Sequence, residues 1–174
     1  MTIKTVVQTP CGPLILASEL ELLRVIGWPA QEQELGSILD SAAGVAAESD
    51  ALFRETCRQL QGYFEGRLET FDLPVKPAGT AFQQQVWAAL QTIPYGTTLT
   101  YQALADRLGL SGGARAVGAA NGKNPISIVI PCHRVIGTSG KLTGYAGGMR
   151  TKQYLLELEL GWHRPHRTDL ADGQ

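Results

Sequence analysis

Thr100-Tyr-Gln-Ala-Leu-Ala-Asp-Arg-Leu-Gly-Leu-Ser-Gly-Gly-Ala-Arg-Ala-Val-Gly-Ala-Ala-Asn121 reads as two short helices around a tight turn. Thr100 offers an N-cap, Tyr101, Leu104 and Leu108 recur at helical spacing, and Gly109 closes the helix. Leu110–Gly113 is a turn, and Ala114–Asn121 a second helix rich in Ala and Gly. This is the helix-turn-helix pattern, although helical hairpins of this length also serve as plain scaffolding. Charge brings DNA binding level with that plain reading. No acid stands between Arg107 and Lys152, whereas Arg115, Lys123, Arg134, Lys141 and Arg150 do. The whole chain hides this, with a net charge of −1 over 174 residues. Residues 1–79 hold 6 bases against 11 acids, and residues 80–174 hold 9 against 5. The local count keeps a polyanionic partner open for the second half, beside the plainer reading of a basic solvated face.

Upstream, Thr80-Ala-Phe-Gln83 forms a capping box for a helix with Phe82, Val86, Ala89, Leu90 and Ile93 on one face, stopped by Pro94. Leu73-Pro-Val-Lys-Pro-Ala-Gly79 reads as a linker. Before it, Lys4–Gln8, Leu14–Ser18 and Leu22–Trp28 are β-rich runs, the first two joined across a Thr9–Pro13 hairpin. Residues 30–50 suggest a loop with a weak helix, and Phe53, Cys57, Leu60 and Phe64 mark an amphipathic helix with Cys57 buried on its stripe. A last helix, about Arg150–Glu159, should turn Tyr154, Leu155 and Leu158 inward. The fold class is α+β. The expected division is an N-terminal α+β unit at 1–78, a mainly helical unit at 79–161 and a loose tail at 162–174.

At 44% hydrophobic the chain can bury a core without staples. No apolar run approaches the roughly 18 residues of a membrane span, and the N-terminus lacks a secretory pattern. Three widely spaced cysteines exclude a disulfide framework and point to the cytoplasm. No Cys/His spacing suits a metal, and no cofactor is expected.

The chemistry gathers after Ile126–Ile130, read as a buried strand that runs into Pro131. Cys132-His133-Arg134 follows, and a thiol beside His and Arg is expected to have a lowered pKa. The bland alternative, a packed cysteine and a surface histidine, stays open on local chemistry alone. In extended backbone Cys132 and His133 would point apart, so a relay through one water suits them better than direct contact. Glu157 and Glu159 lie about 200° apart on a helix, so only one can orient that histidine.

Ile130-Pro-Cys-His-Arg-Val135, with Asn124-Pro125 before it and Gly144-Tyr-Ala-Gly-Gly148 after it, closely resembles the active-site segment of the O6-alkylguanine-DNA alkyltransferases. Phe82–Trp87, Ile93–Gly96, Tyr101–Ala105, Arg115–Gly118 and Leu155–Glu159 extend the resemblance in order and spacing. It implies a ribonuclease-H-like N-terminal unit and a winged helix-turn-helix-type C-terminal unit. It further implies cofactor-free, single-turnover removal of the alkyl group from O6-alkylguanine, with O4-alkylthymine a further candidate. Cys132 matches the acceptor, His133 the relay, Glu159 its orienting acid, Asn124 a brace, and Tyr101 a donor to the flipped base. Arg115 matches the finger that fills the vacated stack, with Gln102, Ala114 and Thr138 beside the DNA. Val135, Tyr145 and Ala146 match the base pocket. The implied partner is alkylated double-stranded DNA, bound by a monomer or by several copies along the duplex. The rival is a non-catalytic helix-turn-helix or alkyltransferase-like protein, and Cys132 argues against the latter.

Overall fold

A computed structural model describes residues 1–160, so the tail expected at 162–174 lies outside the described residues. The N-terminal half is built on β1 (Thr2–Thr9), β2 (Gly12–Glu19) and β3 (Leu22–Gly27), followed by α1 (Gly36–Leu39), β4 (Ala43–Gly44) and α2 (Ala51–Phe64). The sheet order is β3-β2-β1-β4, antiparallel except for the β1–β4 pair. β2 is buried on both faces from Leu14 to Ser18. Leu14 and Leu16 face the main core, while Ile15 and Ala17 pack with Val25, Leu35 and Leu39 on the other side. Asp50 caps α2 by accepting from Phe53 N–H at 3.0 Å. Cys57 packs against the core from α2 but is only half-buried, short of the full burial its stripe suggested.

The second half contains α3 (Ala81–Leu90), β5 (Leu99–Thr100), α4 (Tyr101–Arg107), α5 (Ala114–Gly122), β6 (Val135–Ile136) and α6 (Met149–Leu160). Thr80 and Gln83 close the capping box of α3, and Thr100 caps α4 by accepting from Ala103 N–H at 3.1 Å. Gly109 sits at φ +71°, the left-handed turn that ends α4 and frees the chain to start α5. The Trp87 indole donates to Ala120 O at 2.9 Å, tying α3 to α5. On α6 the buried leucines are Leu155 and Leu156, with Leu158 partly buried against the core; Tyr154, expected inside, is exposed and meets Phe64 at the rim.

The two halves share one continuous core, running from Leu14 and Phe53 through Trp87 and Leu104 to Leu155. Residues 73–79 act less as a tether than as an edge. Leu23 N–H donates to Pro74 O, Lys76 N–H to Leu23 O, and Val75 bridges Leu23 in parallel. Further along, Ile26 bridges Ile126, so β3 also carries the chain that leads to Cys132.

Candidate active site

That chain is a buried turn, not the strand expected at 126–130. Its backbone groups are claimed locally. Asn124 Oδ1 accepts from Ile126 N–H at 3.0 Å, and its Nδ2 donates to Ile126 O at 3.3 Å and Ile130 O at 2.8 Å. β3 takes two more, with Ile26 N–H donating to Pro125 O and Ser127 N–H to Ile26 O, and the turn closes on itself through Ile130 N–H to Ile126 O. The bend forces Ile128 to φ +71°, a conformation costing a β-branched residue roughly 1–3 kcal/mol. The run suggested a strand because every residue here is apolar or small, and all but Val129 are buried. Apolar runs say "inside", not "extended".

Past Pro131, Cys132–Arg134 form a single 3-10 turn. Side chains then advance by about 120° rather than alternating, and His133 and Arg134 both reach Glu159 on α6 while Cys132 does not. His133 Nε2 lies 2.7 Å from Glu159 Oε1. Arg134 donates from Nε to Oε2 at 2.8 Å, from Nη2 to Oε1 at 3.0 Å, and from Nη1 to Ile93 O at 2.6 Å. The Tyr63 hydroxyl, at the end of α2, donates to Oε1 at 2.7 Å. Glu159 is thus the hub, and Glu157 instead accepts from Gln153 along its own helix.

The charges follow from this geometry. Burial would raise the Glu159 carboxyl, but hydrogen bonds and charge from His133 and Arg134 overcome it and hold the group at about 2. Burial depresses His133 below its ordinary value. Glu159 opposes that shift, while the Arg134 and Lys152 charges reinforce it. Arg134 already neutralises the carboxylate, so His133 stays neutral. Its Nε2–H then donates to Glu159, leaving Nδ1 as an acceptor; Nδ1 is buried with no protein partner.

Cys132, 5% exposed, departs from the sequence expectation. Burial pushes its thiol up, and the Asn124 amide, the Lys152 charge and the Cys132 and His133 backbone N–H groups reverse that only in part. His133 and Arg134 were expected to lower it, but their side chains are committed to Glu159. Cys132 therefore rests as a thiol.

Lys152 was not foreseen. Fully buried on α6, it donates from Nζ to Val135 O at 2.6 Å and Thr143 O at 3.0 Å. Burial lowers its ammonium to about 8, the Cys132 sulfur countering. It stands seven positions before Glu159, the same face of a helix two turns away, and that spacing was the available signal. The carbonyl of Val135, a residue matched to the base pocket, thus already accepts from a buried cation. Asn121, also missed, donates to Cys132 O at 3.5 Å.

Tyr101, Gln102, Ala114, Arg115, Thr138, Tyr145 and Ala146 all line one cleft of about 710 Å³, in which Arg115 is exposed. The Tyr101 hydroxyl donates to Thr143 O at 3.5 Å, and burial raises its pKa, keeping it a donor. Asn121, which lines the same cleft, donates to the Cys132 carbonyl, so the buried cysteine stands directly behind the cleft wall. Among the described residues no group of three or more His, Cys, Asp or Glu could hold a metal.

Two family models match this chain. The ribonuclease-like domain of 6-O-methylguanine DNA methyltransferase covers residues 2–77, and the DNA-binding domain of the same family covers residues 81–161. A methylated-DNA–protein-cysteine methyltransferase of Methanosarcina acetivorans is 46% identical over 87% of this chain and 94% of its own. The Mycobacterium tuberculosis protein of the same name is 48% identical over 88% and 89%. The crystal structure of the M. tuberculosis O6-methylguanine methyltransferase superposes with a TM-score of 0.83 at 44% identity, covering 99% of this chain and 100% of that one. M. tuberculosis OGT in complex with DNA gives 0.82 at 45% identity, covering 91% and 92%. With both halves matched and relatives near half identical over almost their full length, the chain belongs to the 6-O-methylguanine DNA methyltransferase family.

Proposed function

We propose that the protein repairs O6-alkylguanine in double-stranded DNA by moving the alkyl group onto its own Cys132, once per molecule. The observation that carries this reading is a buried thiol beneath a cleft bordered by Arg115, next to a neutral His133 anchored on Glu159. The reacting carbon is hidden in the base stack, so the nucleotide is extruded and Arg115 fills the gap. Gln102, Ala114 and Thr138 border the strand, and Val135, Tyr145 and Ala146 hold the base.

The Cys132 proton passes through one water to His133 Nδ1, and Glu159 stabilises the resulting imidazolium. The thiolate attacks the alkyl carbon. As S–C forms and C–O6 breaks, the electron pair leaves on guanine. The Tyr101 hydroxyl donates to that base and the Ala146 backbone N–H to O6, both strengthening as negative charge develops. A thioether offers water no leaving group, so the protein is consumed.

The described cysteines, all free, suit action in the cytoplasm. The protein acts as a monomer, with several copies able to line a duplex. A regulator reading is not favoured, since it gives the buried His133–Glu159 pair no task. Titration of O6-methylguanine duplex with protein tests the proposal: lesion lost should equal protein added and stop there. Continued loss at excess lesion would overturn it.

A further inference from the structure

We propose that Trp28, in the N-terminal half, is a positioning residue that sets the stance of the base-pocket wall at Tyr145–Gly147. The inference rests on the alkyl-transfer reading above. Trp28 follows β3 and is 3% exposed. Its indole meets the Tyr145 ring edge-on, with centroids 6.2 Å apart and planes at 65°. A Cβ on Gly147 would come within 2.6 Å of Trp28 Cε2 and 2.8 Å of Cδ2 and Nε1, so only glycine lets the wall lie against the indole.

The Trp28 backbone is itself fixed. Its main-chain N–H donates to Gln31 Oε1 at 3.1 Å, and Gln31 Nε2 donates to the Asn124 carbonyl at 3.3 Å. One buried pair therefore touches both supports of the reaction: the wall over the base and the turn that carries Cys132. Trp28 Nε1 and Tyr145 Oη, both buried, have no other partner, and the indole N–H acts on the phenol as a weak donor, so ring packing and this one polar contact together hold the wall. Trp28 does not line the cleft that carries Arg115 and Gln102. Its loss should misplace the base without weakening the grip on DNA.

Single-turnover transfer at saturating protein, together with affinity for undamaged duplex, tests this in Trp28→Leu, Trp28→Phe, Gly147→Ala and the Trp28→Leu/Gly147→Ala double variant. Trp28→Leu should slow transfer about tenfold with duplex affinity unchanged, and Trp28→Phe should recover most of the rate because a ring still packs there. Gly147→Ala should also slow transfer. The double variant should outpace Gly147→Ala alone, because removing the indole makes room for the added methyl group. If Trp28→Leu does not fold, Trp28→Phe combined with Gly147→Ala reads the same coupling. A normal rate in Trp28→Leu, slowing matched by lost duplex affinity, or independent effects of the two substitutions would overturn the proposal. A wild-type protein that takes up no alkyl group would overturn the underlying reading instead.

Discussion

At Cys132 two influences compete: burial, which disfavours the anion, and Lys152 with the Asn124 amide, which favour it. Burial prevails at rest, so a relay has to take the proton when substrate arrives. Lys152→Met removes the nearby charge that favours the anion, so the thiol pKa rises further and less thiolate forms, read as slower single-turnover transfer. In the wild type the rate should cease to climb with pH near about 8, where Lys152 loses its proton, and that break should vanish in the variant. Asn124→Ala strands Ile126 N–H inside the protein and leaves the Ile130 carbonyl with Cys132 N–H alone, and should cost roughly 1–3 kcal/mol in denaturant titration. His133 and Glu159 both have depressed folded-state values. Their stabilisation is complete above the unfolded values and lost on acidification, His133 first below 6.5, then Glu159 from 4.5 down toward about 2. Tm should therefore fall in two stages, and His133→Gln should erase the first; a single stage in both proteins would refute the charge assignment.

Elements whose ends carry their own chemistry were readable in the sequence. Thr80/Gln83, Thr100 and Gly109 mark helix limits where the structure has them, because a cap satisfies backbone groups using residues a few positions away. Thr80→Ala should cost about 1 kcal/mol of stability and little activity. Ile126–Ile130 was not readable. Its conformation is imposed by Asn124 and by β3, nearly a hundred residues upstream, and a run of apolar residues does not encode that. The site divides similarly. Cys132 and His133 stood out through a compact motif, and register narrowed the acid to one of Glu157 and Glu159, with the resemblance choosing Glu159; Tyr63 and Trp28 act through contacts that form only once the halves close, and Lys152 through carbonyls of a turn and a loop that no local pattern marks. For α5, Arg115→Ala should slow transfer from duplex far more than from the free modified base. Equal slowing of both would remove the finger role from Arg115.

Across the whole molecule, the acidic half backs the site and the basic half presents it. Duplex affinity should fall with rising salt, with a log–log slope set by a few phosphate contacts, and damaged and undamaged DNA should share most of that slope. The exposed Lys123–Glu34 pair that joins the halves contributes at most about 1 kcal/mol, so the shared core and not this bridge keeps them together. The account as a whole converges on one sulfur atom. Intact-protein mass after mixing with O6-methylguanine duplex, followed by peptide mapping, reads it directly. A gain of one methylene per chain, confined to the peptide holding Cys132, is the predicted result; an unchanged mass, or a methyl group carried on Cys11 or Cys57, would contradict it.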